Sequence, residues 1–123
     1  MKLLLVEDDV TLCNLLATML KFEGLTSITA HDGYEAERIL MSENAGTIDL
    51  ILCDVMMPNM DGYGLLERVK NIPTCQKIPF IFISAHVSRE EEARGLAVGA
   101  RAYIKKPVDI AKLLAIIADI KGD

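Results

Sequence analysis

Short apolar runs that alternate with stretches of helical period constrain this chain more than any other feature. Residues 3–6, 25–30, 48–53, 78–83 and 102–104 are of strand length, and the third and fourth are the strongest interior runs. A strand that reads as a near-continuous apolar run is buried on both faces, as in a parallel sheet. Residues 9–22 repeat Leu12, Leu16, Met19 and Leu20 until Gly24 stops the helix. Ile110, Leu113, Leu114 and Ile117 mark the last helix at i, i+3, i+4 and i+7. Stretches at 33–43, 62–71 and 88–98 supply the other three, with Gly99 as a C-cap after the fourth. Strict strand–helix alternation predicts one α/β domain over residues 1–123, a parallel sheet with helices on both faces.

The chain of 123 residues is 51% apolar and 25% charged, enough for a solid core and unlike a disordered segment. Its net charge is −5 and its 13 Lys and Arg residues are scattered. That balance argues against direct nucleic-acid binding and against anionic membrane surfaces. Cys13, Cys53 and Cys75 are odd in number and lack metal-ligand spacing, so they read as reduced thiols. No stretch reaches membrane-spanning length and the first apolar run is too short for a signal peptide. The expectation is a cytoplasmic protein with no membrane insertion, ending at its fifth helix without a second domain.

The strand ends carry the chemistry. Glu7 and Asp8 follow the first strand, Asp54 ends the third, Ser84 the fourth, and Lys105-Lys106-Pro107 the fifth. Open α/β sheets bind ligands at the carboxyl ends of strands, where strand order reverses. With order 2-1-3-4-5, Glu7, Asp8 and Asp54 meet in one pocket beside Ser84 and a lysine. Three carboxylates so close must hold protons or recruit a cation. An all-oxygen site favours Mg²⁺, which commonly keeps waters and a phosphoryl oxygen.

The acidic pair, "DVMMPNMDG", "ISA" and "KKP", in this order and each at a strand end, resemble the receiver domain of two-component response regulators. The resemblance covers the whole chain and implies the flavodoxin-like, CheY-like arrangement of five parallel strands. It implies that Asp54 is the phosphoacceptor, taking a phosphoryl group from a phosphohistidine on a sensor histidine kinase or histidine phosphotransfer protein. It further implies Mg²⁺ held by Asp8, Asp54 and the main-chain carbonyl of Met56, with Glu7 acting mainly through water. Lys106, the lysine next to proline, contacts the phosphoryl group in this reading, and Ser84 bonds to it once attached. Tyr103 matches the aromatic position that turns inward on activation. Met56 and His86 stand two places after the acceptor and the hydroxyl residue, flanking the path of a hydrolytic water.

Other residues have plainer roles. Asp9 reads as an N-cap or first-turn residue and Asp61 as a turn or cap residue before the third helix. Successive strand side chains point opposite ways, so Lys105 is expected in solvent if Lys106 is in the site. The Lys106-Pro107 bond is open between cis and trans. Arg89-Glu90-Glu91-Glu92 opens a helix as a solvated face, and His31 reads as a surface residue.

A haloacid-dehalogenase-like aspartyl-phosphate hydrolase is the catalytic alternative. Such enzymes carry a second Asp two residues after the nucleophile, where this chain has Met56. A dinucleotide module fails because Glu67 stands where the third Gly after Gly62-Tyr63-Gly64 belongs. A receiver-like scaffold leaves Asp54, Ser84 and Lys106 together without a purpose. Output is therefore expected through a downstream protein target on the face of the fourth helix, fifth strand and fifth helix. Arg101-Ala102 replaces the acidic pair seen before the tyrosine in receivers that dimerise to bind DNA.

Overall fold

The computed structural model describes residues 1–42 and 46–122. Its elements alternate as β1 (Lys2–Val6), α1 (Val10–Phe22), β2 (Thr26–Ala30), α2 (Gly33–Leu40), β3 (Leu50–Asp54), α3 (Gly62–Lys70), β4 (Phe80–Ser84), α4 (Arg89–Ala97), β5 (Ala102–Lys105) and α5 (Ile110–Lys121). All four strand pairings are parallel, in the order β2-β1-β3-β4-β5. The expected fold and order are therefore the ones observed.

Burial explains why these segments pair. Every residue of β3 and β4 is buried, because each strand has neighbours on both edges and helices on both faces. Side chains alternate across the sheet. Leu50, Leu52, Ile81 and Ile83 meet Leu16 and Leu20 of α1 and Leu113 and Ile117 of α5. Ile51, Cys53, Phe80 and Phe82 meet Leu40 of α2 and Leu65 and Val69 of α3. Truncating one such residue to Ala costs roughly 2–5 kcal/mol through lost burial and the cavity left behind. The three cysteines are free and buried in these layers.

Each helix begins at the carboxyl end of the sheet with a side-chain cap. Asp9, Asp32, Asp61, Ser88 and Asp109 each accept a hydrogen bond from the backbone N–H three residues on. Such caps satisfy donors the helix cannot, each contributing about 1 kcal/mol. Asp9 and Asp61 thus have the capping roles read from the sequence. Glu90, Glu91 and Glu92 occupy the first turn of α4, where acids suit the helix dipole. Gly24 and Gly99 follow α1 and α4 with φ of 79° and 111°, a region open to glycine.

Two expectations need correction. Helix α2 ends at Leu40, short of residue 43, which lies outside the described residues. His31 is half-buried rather than a surface residue, its Nδ1 lying 3.1 Å from the main-chain oxygen of Glu7. That contact crosses from the end of β2 to the end of β1, and although the two strands are the expected neighbours, periodicity does not show which way the ring turns.

Candidate functional site

Parallel pairing brings the ends of β1, β3, β4 and β5 to one edge of the sheet, and the polar strand ends meet there. Ligand atoms of Glu7, Asp8 and Asp54 lie within 4.8 Å of one another. Glu7 and Asp54 are buried while Asp8 is exposed, so the cluster has a sealed floor and an open rim. Its outer wall is a cleft lined by Asp8, Val55, Met56, Met57, Pro58 and Asp61.

The Lys106 ammonium sits between the two buried carboxylates, 2.6 Å from Glu7 Oε1 and 2.9 Å from Asp54 Oδ2. Among the described residues, Glu7 Oε1 has no hydrogen bond of ordinary geometry, so this close ion pair is its compensation. Glu7 Oε2 accepts from the Asp9 N–H at 3.2 Å, and Asp54 Oδ1 accepts from the Met56 N–H at 3.4 Å. Lys105 points to solvent, as alternation requires once Lys106 turns inward. The Lys106-Pro107 peptide is cis.

Burial raises the Glu7 carboxyl to about 7; the adjacent Lys106 ammonium opposes the rise, and neighbouring Asp54 and Asp8 add to it. Burial works against the Lys106 ammonium, yet its close pairing with the Glu7 and Asp54 carboxylates prevails and holds it above the ordinary lysine value. Two buried acids sharing one ammonium leave excess negative charge directed at the open rim. That donor set of carboxylate oxygens, one of them without a hydrogen bond, fits a hard divalent cation such as Mg²⁺.

Ser84 closes the site from β4. It is 3% exposed, and its Oγ accepts from the His86 N–H at 3.1 Å. Beyond it lies a small cavity lined by Met56, Tyr63, Ser84, His86, Glu91, Arg94 and Tyr103. Tyr103 is 7% exposed, so its ring is already turned inward. Burial pushes its phenol up, opposed by hydrogen bonding toward Ser84. Met56 is 68% exposed and borders both the acidic cleft and this cavity. His86 is exposed at the same mouth.

Sequence reasoning missed Gly62. A Cβ there would lie 2.6 Å from the Asp54 carbonyl oxygen and 3.0 Å from Val55 Cα. The Gly62 N–H also donates to the Val55 carbonyl at 2.8 Å, drawing the start of α3 behind the site. Only a residue lacking a side chain allows that approach.

A family model for the response regulator receiver domain matches residues 3–118. The chain belongs to the response regulator receiver family. This receiver domain is 38% identical to the transcriptional regulatory protein CpxR of Escherichia coli over 97% of its own length and 48% of that protein. It is 32% identical to the response regulator SaeR of Staphylococcus epidermidis, covering 91% of its own length and 46% of that protein. It thus spans about half the length of the curated relatives it matches. Among solved structures, it resembles the Borrelia burgdorferi CheX–CheY–BeF₃–Mg complex with a TM-score of 0.87 and 31% identity, over 97% of this chain and 87% of that one. Among the described residues, no helix is long and apolar enough to cross a membrane.

Proposed function

We propose that this receiver domain is a phosphorylation-dependent switch in a two-component pathway or phosphorelay, with Asp54 as its phosphoacceptor. The observation that carries this reading is the Lys106 ammonium held between Glu7 and Asp54, with the Ser84 hydroxyl at the next strand end. A carboxylate oxygen of Asp54 attacks the phosphorus of a phosphohistidine. The new O–P bond forms as the P–N bond breaks, and the electron pair returns to the donor imidazole. The donor is a sensor histidine kinase or a histidine phosphotransfer protein.

Lys106 offers the phosphoryl oxygens a positive charge, and Ser84 donates its hydroxyl to them after transfer. Asp8, Asp54 and the Met56 carbonyl would hold Mg²⁺, with Glu7 acting mainly through water. Bound there, the cation lowers the repulsion between the acceptor and the incoming phosphoryl group. Similarity to a CheY solved with magnesium and a beryllofluoride group supports this arrangement.

The signal then leaves through protein contacts on the α4–β5–α5 face, in the cytoplasm, without direct nucleic-acid contact by this domain. Self-phosphorylation from small donors and slow self-dephosphorylation are its only chemistry. Met56, where a dehalogenase-type hydrolase needs a general acid, supports an acceptor over an enzyme. Incubation with acetyl phosphate and Mg²⁺ separates the two. A labile gain of one phosphoryl group supports the receiver reading, whereas sustained turnover of varied phosphate esters supports the hydrolase.

A further inference from the structure

Helix α4 buries only one of its nine residues, and that residue is Gly95. Its other positions are charged, small or partly exposed, including Leu96 at 45%. A helix without an apolar stripe needs another means of staying on the sheet. Two contacts supply it here. The Gly95 backbone rests on the Tyr103 ring, close enough that a Cβ would lie 2.7 Å from Cδ2, 3.2 Å from Cε2 and 3.3 Å from Phe82 Cδ2. One residue earlier, the Arg94 guanidinium lies 4.1 Å from the Tyr63 ring centroid.

The rings form one column. Tyr63 and Phe82 have centroids 4.6 Å apart, and Phe82 and Tyr103 5.7 Å. Phe82 is fully buried in β4, two residues before Ser84, and so fixes the middle of the column. Its ends are the movable parts: the half-buried Tyr63 under Arg94, and Tyr103 under Gly95.

We propose that Gly95 is the positioning residue that holds Tyr103 inward, so that helix α4 and the Tyr103 ring move as one unit. With glycine at 95, the ring fills the space below the helix and carries it. With any side chain there, ring and helix cannot both keep their places. The ring leaves toward solvent, or the helix lifts with Arg94, strains its contact with Tyr63 and uncovers the ring. Either way the α4–β5–α5 face changes shape without any change at Glu7, Asp8, Asp54 or Lys106. This rests on the proposed function only for its consequence, the choice of output state; the contact itself can be tested with no phosphodonor present.

The test compares nitration of the three tyrosines by tetranitromethane, read by peptide mapping, in wild type and Gly95→Ala. Tyr34, 42% exposed, is the internal standard. Wild-type Tyr103 should be the most protected of the three, and in Gly95→Ala it should react at a rate close to that of Tyr34. A wild-type Tyr103 as reactive as Tyr34, or a Gly95→Ala protein with Tyr103 still protected, overturns the proposal.

Should Gly95→Ala fold poorly, the Tyr103→Ala background decides. Alanine normally strengthens a helix relative to glycine. Adding Gly95→Ala to Tyr103→Ala should therefore raise the denaturation midpoint, whereas an equal loss with and without the ring refutes the contact. Uptake of one phosphoryl group from acetyl phosphate serves as the separate control, since the nearest contacts of a side chain at 95 are Tyr103 and Phe82 rather than Glu7, Asp8 or Asp54. Failed uptake in wild type counts against the proposed function and leaves Gly95 to be judged by nitration.

Discussion

Lys106 Nζ lies 2.6 Å from Oε1 of Glu7, a side chain with no exposed surface, and the same ammonium also holds Asp54. Removing one partner of a buried ion pair strands the other charge, which typically costs about 3–5 kcal/mol. Lys106 retains 20% exposure, so the lower end applies. Lys106→Met should lose about 3 kcal/mol of unfolding free energy at pH 8, measured by urea denaturation. The loss should shrink near pH 5, where Glu7 can take up a proton, and shrink on adding Mg²⁺. A variant as stable as wild type at pH 8 would remove the ammonium from this role.

The raised Glu7 carboxyl sets a pH window. Its ordinary value is 4.5 and its value in the fold about 7, burial being the main cause. Between those limits the native state holds a proton that the unfolded chain has lost. The contribution of this group to stability is thus fully present below pH 4.5 and is lost as pH rises through 7. Mg²⁺ competes with that proton. Its affinity, read by calorimetric titration, should rise at least tenfold from pH 5.5 to pH 8, as one proton with a pKa near 7 requires. Equal affinities at the two pH values would contradict the shift.

The cysteines should be inert. Burial lifts the Cys13 thiol to about 11 and the Cys53 thiol well above its ordinary value, and Cys75 is fully buried. The thiolate is the reactive form, so a disulfide reagent at pH 8 should label almost nothing in the native protein. In denaturant it should label all three. Rapid native labelling would mean that the core opens far more readily than its packing implies.

If Asp54 carries the phosphoryl group as proposed, Met56 is expected to set how long it persists. Hydrolysis of an acyl phosphate needs a water in line behind phosphorus, and positioning supplies most of such catalysis. Met56 stands 68% exposed at the mouth shared by the acidic cleft and the Ser84 cavity, and its thioether is only a weak acceptor. Decay of the labelled protein should take minutes or longer, and Met56→Asn should hasten it by placing a polar group beside the water's path. A wild-type half-life of seconds, or slower decay in the variant, goes against this role.

The sheet was legible because β3 and β4 are buried on both faces and their apolar runs are unbroken through the strand cores. The acidic cluster and its lysine were legible because polar residues end strands whose pairing follows from topology. Local apolarity misled at the end of α2, where Met41 continues the pattern yet is 70% exposed just past the helix. His31, Gly62 and Gly95 were missed for a common reason. Each matters through contact with backbone or a ring distant in sequence: the Glu7 carbonyl, the Asp54 carbonyl and Tyr103. Periodicity carries no record of such approaches.

Asp54 is the proposed acceptor of the phosphoryl group. The direct measurement is intact mass of the wild type and of Asp54→Asn after incubation with acetyl phosphate and Mg²⁺, with the modified site mapped by hydroxylamine cleavage of the acyl phosphate. The account predicts one hydroxylamine-labile phosphoryl group on Asp54 of the wild type, none when EDTA is in excess, and none on Asp54→Asn, whose amide is too poor a nucleophile. An unmodified wild type, or the same labile adduct on Asp54→Asn, would contradict it.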